Sequence, residues 1–142
     1  MFTQSYPIKE EVMDQELKNQ IYQGFREHSL ATLGVEGNQK EITLTIRDDQ
    51  ENLIGVIHGM AFWGGFHLKH LFVNAEFRHQ GIGRILISQL IERVKEHGSR
   101  FIFVETMSFQ AVGFYQKFGF YEEFVRNGFD QGASFHHLKK DL

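Results

Sequence analysis

The residues best placed for chemistry lie in Leu71-Phe72-Val73-Asn74-Ala75-Glu76-Phe77-Arg78-His79-Gln80-Gly81-Ile82-Gly83-Arg84. An apolar strand-like segment ends there, a short loop follows, and Gly81 and Gly83 stand at the mouth of an amphipathic helix. The first turn of a helix leaves backbone N–H groups without intrahelical partners, and their partial positive charge attracts anions. Glycine lets such a backbone approach a pyrophosphate closely, and Arg78 and Arg84 can add charge-assisted contacts. A dinucleotide fingerprint would want a third small residue where Leu86 stands, and a P-loop would want Gly-Lys-Ser/Thr, which is missing. The bland alternative for this segment alone is an ordinary glycine-containing strand–helix turn.

The surrounding elements must hold this turn. Phe2–Ile8 reads as a short strand, and residues 12–30 as a helix with Val12, Leu17, Ile21, Tyr22 and Phe25 along one side. Ile42, Leu44 and Ile46 alternate with Thr43, Thr45 and Arg47, which predicts a half-buried strand. Asp48–Asn52 is the turn, Leu53–Phe62 returns as its antiparallel partner, and Gly64-Gly65 leads into a strand from Phe66 to Val73. Gly83, Leu86, Ile87, Leu90, Ile91 and Val94 then fall at helical spacing, with Gly98 at the end. Phe101-Ile102-Phe103-Val104 is a continuous apolar run, the pattern of a strand covered on both faces. A further apolar helical face spans Ala111, Val112, Phe114, Tyr115 and Phe118, followed by strands near Phe120–Arg126 and Ala133–Lys139. The fold class is therefore α/β in the α+β sense, with helices packed on a mixed sheet.

The chain of 142 residues reads as a single domain, 1–142, with 42% hydrophobic and 23% charged residues. No apolar run approaches the roughly 20 residues of a membrane span, and no secretory signal is visible at the start. The absence of cysteine removes disulfides, thiolate zinc sites and cysteine nucleophiles together. A cytoplasmic location fits these features. A net charge of −3 argues against a general nucleic-acid binder. Fifteen phenylalanines read chiefly as core, with some rings free to line an apolar pocket. His67 and His70 are an odd number of residues apart, as are His136 and His137, so each pair should point to opposite sheet faces. No zinc-ligand spacing emerges, and no metal is expected.

With these segments in hand, a family resemblance becomes visible. Arg78, Gly81 and Gly83 fill the places of the Arg/Gln-x-x-Gly-x-Gly/Ala motif with which GNAT acetyltransferases bind acetyl-CoA. Downstream, Ala111-Val112-Gly113-Phe114-Tyr115-Gln116-Lys117-Phe118-Gly119-Phe120 resembles the family's Ala-x-x-Phe/Leu-Tyr-x-Lys-x-Gly-Phe signature. The two motifs occur in the family's order and separation and cover roughly residues 66–120. Two positions depart from the pattern: His79 stands where many relatives have Gly, and Ser108 where the family often has Asn.

The resemblance implies a GNAT-like acyl-CoA N-acyltransferase fold, a mostly antiparallel sheet of about six or seven strands with three or four helices. It implies direct attack of a primary amine on the acetyl-CoA thioester, with no metal and no acetyl-enzyme. Phe72 and Val73 would offer backbone groups to the cofactor's arm and carbonyl. Gln80, Gly81, Ile82, Gly83 and Arg84 would donate N–H groups to the pyrophosphate, with Arg78, His79, Ala111 and Phe114 completing the cofactor site. Tyr115 would be the general acid near the sulfur; its alternative is a buried core tyrosine. Candidates for the base are Glu105, at the end of the apolar strand, and His67, with a water chain as the alternative. The acceptor is expected to be a small-molecule amine, bound where the N-terminal helix, the Gly64-Gly65 turn and the Asn127–Gly132 loop converge, near Phe62, Trp63 and Phe129. A protein acetyltransferase and a catalytically silent acyl-CoA-binding module are the alternatives, and a homodimer is compatible with either.

Overall fold

The computed structural model describes residues 5–142, which divide by contact into two compact units, one up to Gly37 and one spanning Asn38–Leu142. The first unit is chiefly helix α1, Gln15–Leu33. The Asp14 side chain accepts from the Leu17 amide at 2.8 Å and starts the helix, which ends where Gly34 turns left-handed and donates to the Leu30 carbonyl. These two caps shift the helix three residues later than its apolar spacing predicts. Of the expected strand Phe2–Ile8, residues 2–4 lie outside the described residues, and 5–8 carry no regular structure.

The second unit is built on strands β1 (Lys40–Arg47), β2 (Leu53–Phe62) and β3 (Gly65–Val73), helix α2 (Ile82–His97), strand β4 (Phe101–Met107), helix α3 (Val112–Gln116) and strands β5 (Tyr121–Arg126) and β6 (Phe135–Asp141). The sheet has six strands in the order β1-β2-β3-β4-β6-β5. Every pairing is antiparallel except β3 with β4, which α2 joins as a crossover. This is the mixed, mostly antiparallel sheet with flanking helices that the sequence leads one to expect. A two-residue turn, Trp63 at φ 49° and Gly64 at φ 83°, closes the β2–β3 hairpin.

One face of the sheet carries the core. Ile57 and Ala61 of β2, Phe66 and Leu68 of β3, Ile102 and Val104 of β4 and Leu138 of β6 are buried, each at alternate positions of its strand. Leu86, Ile87, Leu90, Ile91 and Val94 of α2 join the same cluster, as do Tyr115 and Phe120. A fully buried aliphatic or aromatic side chain of this kind stabilises the fold by about 1.5–3 kcal/mol. The run Phe101–Val104 departs from its reading as a strand covered alike on both faces. Its burial alternates, with Phe101 and Phe103 only half-buried, because the helices of this unit cluster with the Ile102 side.

A β-bulge alters the second face. His58 pairs with His70 but Gly59 pairs with Leu68, so Lys69 has no partner in β2. The extra residue resets the alternation and places His67 and His70 on the same face, not on opposite faces as their odd separation implies. Gly59 is required at this point: a Cβ there would lie 2.4 Å from both the His67 carbonyl oxygen and the Phe66 ring. Since the obstructing carbonyl belongs to the sheet backbone, Gly59→Ala is expected to lower the unfolding free energy by about 1–3 kcal/mol, measurable by urea denaturation. An unchanged midpoint would show that the bulge has room to spare.

Candidate active site

The site begins where pairing stops. β3 and β4 are in register at only four positions, from Gly65↔Phe101 to Leu68↔Val104, although both strands run on. Between their unpaired ends lies a cavity of about 250 Å³ bordered by His70, Phe72, Glu105, Thr106, Ala111 and Tyr115. A second cavity of about 740 Å³ shares Phe72, Ala111 and Tyr115 and continues to Arg78, Gly83 and Lys117. A third, about 520 Å³, shares Val73, Arg78, Gly83 and Phe114 and follows the N-terminus of α2. The three form one trough from the wedge to the helix end.

At the helix end, Gly81 is the N-cap with φ 82°, and the first intrahelical bond runs from the Ile85 amide to the Gly81 carbonyl at 3.1 Å. The amides of Ile82, Gly83 and Arg84 precede that bond and have no helical acceptor. Arg78, Arg84 and Lys117 line this end of the trough and no carboxylate does. Free amides and cations without a competing acid form a donor set that fits a diphosphate. The Phe114 ring lies against Gly83, where a Cβ would sit 3.3 Å from it. His79 adopts φ 62°, a left-handed conformation that glycine takes most readily.

Along the wedge, β3 offers backbone groups selectively. The Asn74 amide donates to the Ile54 carbonyl at 2.8 Å. Alternation then turns the Phe72 amide toward β2 and the Leu71 and Val73 groups outward. The Val73 carbonyl accepts from Arg78 Nε at 3.1 Å, in agreement with that direction. Phe72 therefore contributes its exposed ring to the wedge, whereas the open backbone edge is that of Leu71 and Val73.

Tyr115 is 5% exposed, packs edge-on against Phe114 and Phe120, and lines both wedge cavities. Burial disfavours its phenolate and pushes its pKa up to about 12. Glu105 borders the same cavity, and its Oε2 lies 2.6 Å from His67 Nε2. The His67 ring is stacked on Phe103 at 4.5 Å with planes 5° apart, which fixes its orientation.

Of the residues the sequence singles out, Val73, Arg78, His79, Gly81, Ile82, Gly83, Arg84 and Phe114 converge at the helix end, and Phe72, Ala111 and Tyr115 at the wedge. Gln80 turns its side chain back to the Glu76 carbonyl at 3.4 Å. Ser108 braces β4 against the β6 side, exchanging hydrogen bonds with Ser134 at 2.7 and 3.0 Å. Lys117 and His70 were missed; Lys117 was legible as the residue one helical turn after Phe114, but His70 was hidden by the bulge. The expected meeting of the Gly64 turn with the Asn127–Gly132 loop does not occur. Gly65 pairs with the first residue of β4, and Phe135, beyond the loop, with the last. The two loops thus lie at opposite ends of β4, about 20 Å apart by strand rise, and only the Phe129 loop is at the open end of the wedge. Among the described residues no group of three His, Asp or Glu side chains is arranged to hold a metal ion.

Comparison with known proteins identifies the family. Residues 8–142 match the acetyltransferase (GNAT) domain family. The blasticidin-S acetyltransferase of Streptomyces morookaense is 34% identical over 66% of this chain and 70% of its own length. The crystal structure of an acetyltransferase from Bacillus cereus superposes with a TM-score of 0.78 at 26% identity, covering 95% of this chain and 98% of that one. A Bacillus anthracis protein described as a streptothricin acetyltransferase, solved with acetyl coenzyme A, shares the fold with a TM-score of 0.63 at 22% identity, over 72% of this chain and 62% of that one. The chain belongs to the GNAT acetyltransferase family, and its enzymatic class is that of an acetyltransferase using acetyl-CoA.

At Gly81, valine would be forced to a left-handed φ at a cost of about 1–2 kcal/mol and would crowd an approaching diphosphate. Gly81→Val is expected to weaken CoA binding at least about tenfold by calorimetry, whereas His79→Gly should bind within a few-fold of wild type. Equal affinity for wild type and Gly81→Val would remove the helix end from the site.

Proposed function

We propose that this chain, acting as one acetyltransferase domain, moves the acetyl group of acetyl-CoA directly onto a primary amine of a small molecule. The observation that carries the reading is the continuity of the trough: free amides at one end, and Tyr115 with Glu105 around one cavity at the other. Acetyl-CoA supplies an activated acyl group as a thioester. Ile82, Gly83 and Arg84 hold its diphosphate, Arg78 and Lys117 neutralise it, and the Val73 amide donates toward the thioester carbonyl, where negative charge develops. The amine attacks the thioester directly, a route with which the absence of cysteine from the chain is consistent.

Glu105 attracts the ammonium form of the acceptor into the wedge, held in place by His67. Tyr115 faces the departing sulfur. A thiol ionises near 8.5, well below the value of about 12 for Tyr115, so the phenol stabilises the thiolate by donating a hydrogen bond. A small-molecule acceptor is supported by the relatives named for blasticidin-S and streptothricin, and by the wedge's aromatic border at Phe72 and exposed Phe109.

The test is thiol release from acetyl-CoA with a panel of primary amines that includes blasticidin S and streptothricin. Wild type should turn over at least one amine, and Tyr115→Phe should lose about 10²-fold in kcat with unchanged CoA affinity. Tight CoA binding without turnover of any amine would favour a silent acyl-CoA-binding module. Tyr115 also carries a stability signature. Its pKa rises on folding from 10.0 to about 12, so its contribution is complete below pH 10 and lost as pH rises through the folded value. In urea titrations wild type should therefore lose stability over that alkaline window more steeply than Tyr115→Phe; parallel curves would contradict the buried, neutral phenol.

A further inference from the structure

Glu41, His58 and His70 form a hydrogen-bonded row on the second face of the sheet. Glu41 Oε1 lies 2.6 Å from His58 Nε2, and His58 Nδ1 lies 3.0 Å from His70 Nδ1. The two imidazole planes are 16° apart with centroids 5.3 Å apart, so the rings lie edge to edge and their nitrogens meet head-on. The row starts at the wedge, because His70 borders the cavity of Glu105 and Tyr115. It ends in solvent, because the Glu41 side chain is 60% exposed.

The hydrogens along this row follow from donor and acceptor chemistry. An ionised carboxylate only accepts, so a neutral His58 carries its one hydrogen on Nε2 and has a lone pair on Nδ1. That lone pair needs a donor, which sets the His70 hydrogen on Nδ1 and leaves a lone pair on His70 Nε2. Among the described residues His70 Nε2 has no hydrogen-bond partner. From this we infer that His70 is the general base of the acetyl transfer, and that His58 and Glu41 are positioning residues that fix its tautomer. The inference rests on the acetyltransferase reading and deepens it.

The proton balance is simple. His70 Nε2 takes one proton from the acceptor ammonium, and the imidazolium so formed, its Nδ1–H held by His58, releases that proton to water, which restores the neutral Nδ1–H tautomer. The freed amine lone pair forms the N–C bond, and the C–S bond breaks with its electron pair on sulfur. The nitrogen's second proton neutralises the thiolate, so one proton reaches solvent per acetyl group. Within residues 38–142, the titratable and charged groups around His70 are His58 of β2, Glu41 of β1, His67 and Lys69 of β3, Glu105 of β4 and Tyr115 of α3. An imidazole base acts only when neutral, so kcat/KM for the amine must fall in acid.

Two measurements decide the matter. Nitrogen-15 NMR of the imidazoles, in protein without ligand and with both rings neutral, should show His70 as the Nδ1–H tautomer and His58 as Nε2–H. The reverse assignment for His70 would overturn the inference whether or not an acceptor is known. In the amine panel, His70→Gln should lose about 10²-fold in kcat/KM near neutral pH and lose the acidic limb, with KM for acetyl-CoA unchanged. Glu41→Gln should retain that limb but displace it. A wild-type profile in His70→Gln would overturn the base assignment while leaving the acetyltransferase reading intact. Failure of every amine with wild type would sink that reading, and the tautomers would still decide whether the row is built as described.

Discussion

The structure depends on an interruption: β3 and β4 stop pairing after Leu68 and Val104 while both strands continue. An unpaired strand edge normally invites another strand. Here Arg78 takes the Val73 carbonyl, and the connection 74–81, with a 3-10 turn at Ala75–Phe77, leads from β3 into α2. The sequence that ends the strand thus also supplies the helix whose first-turn amides face the same trough. Tyr115 reaches that opening from α3, and its ring belongs to the buried cluster that binds both helices to the sheet. The site is an opening in the scaffold whose walls are core residues, so packing and function share side chains.

Charge is divided along the trough. Arg78, Arg84 and Lys117 gather at the helix end, where no carboxylate competes. Glu105 stands at the wedge, with His67 attached to it. An anionic ligand and a cationic acceptor would therefore be drawn to different ends and meet where β3 and β4 separate. The bulge at Lys69 takes part in this division. Were Lys69 paired in regular alternation, His70 would turn to the core face among apolar side chains, and the row from Glu41 through His58 would have no end at the wedge.

Much of this was legible in the sequence, for reasons that differ by element. The ends of β2 coincide with the reading because Asp48–Asn52 and the glycines after Trp63 mark turns, although the second turn is Trp63-Gly64 and Gly65 already belongs to β3. The helix start at Gly81 was legible because glycines there serve both the left-handed cap and the anion site. Alternation failed at His70, because the cause of the bulge is tertiary: Gly59 admits the His67 carbonyl and the Phe66 ring from the neighbouring strand. The acceptor region failed for a topological reason. Strand order places the Gly64 turn and the Asn127–Gly132 loop at opposite ends of β4, and a linear reading shows where loops occur but not which edge they share.

The central claim is that the α2 N-terminus holds the diphosphate and so aims the thioester into the wedge. The most direct measurement is a titration of nitrogen-15-labelled protein with CoA, read at the backbone amides. The account requires saturable shifts at Ile82, Gly83 and Arg84 that are larger than those elsewhere in α2. Saturable binding that leaves those three amides unmoved, or no binding up to millimolar CoA, would contradict it.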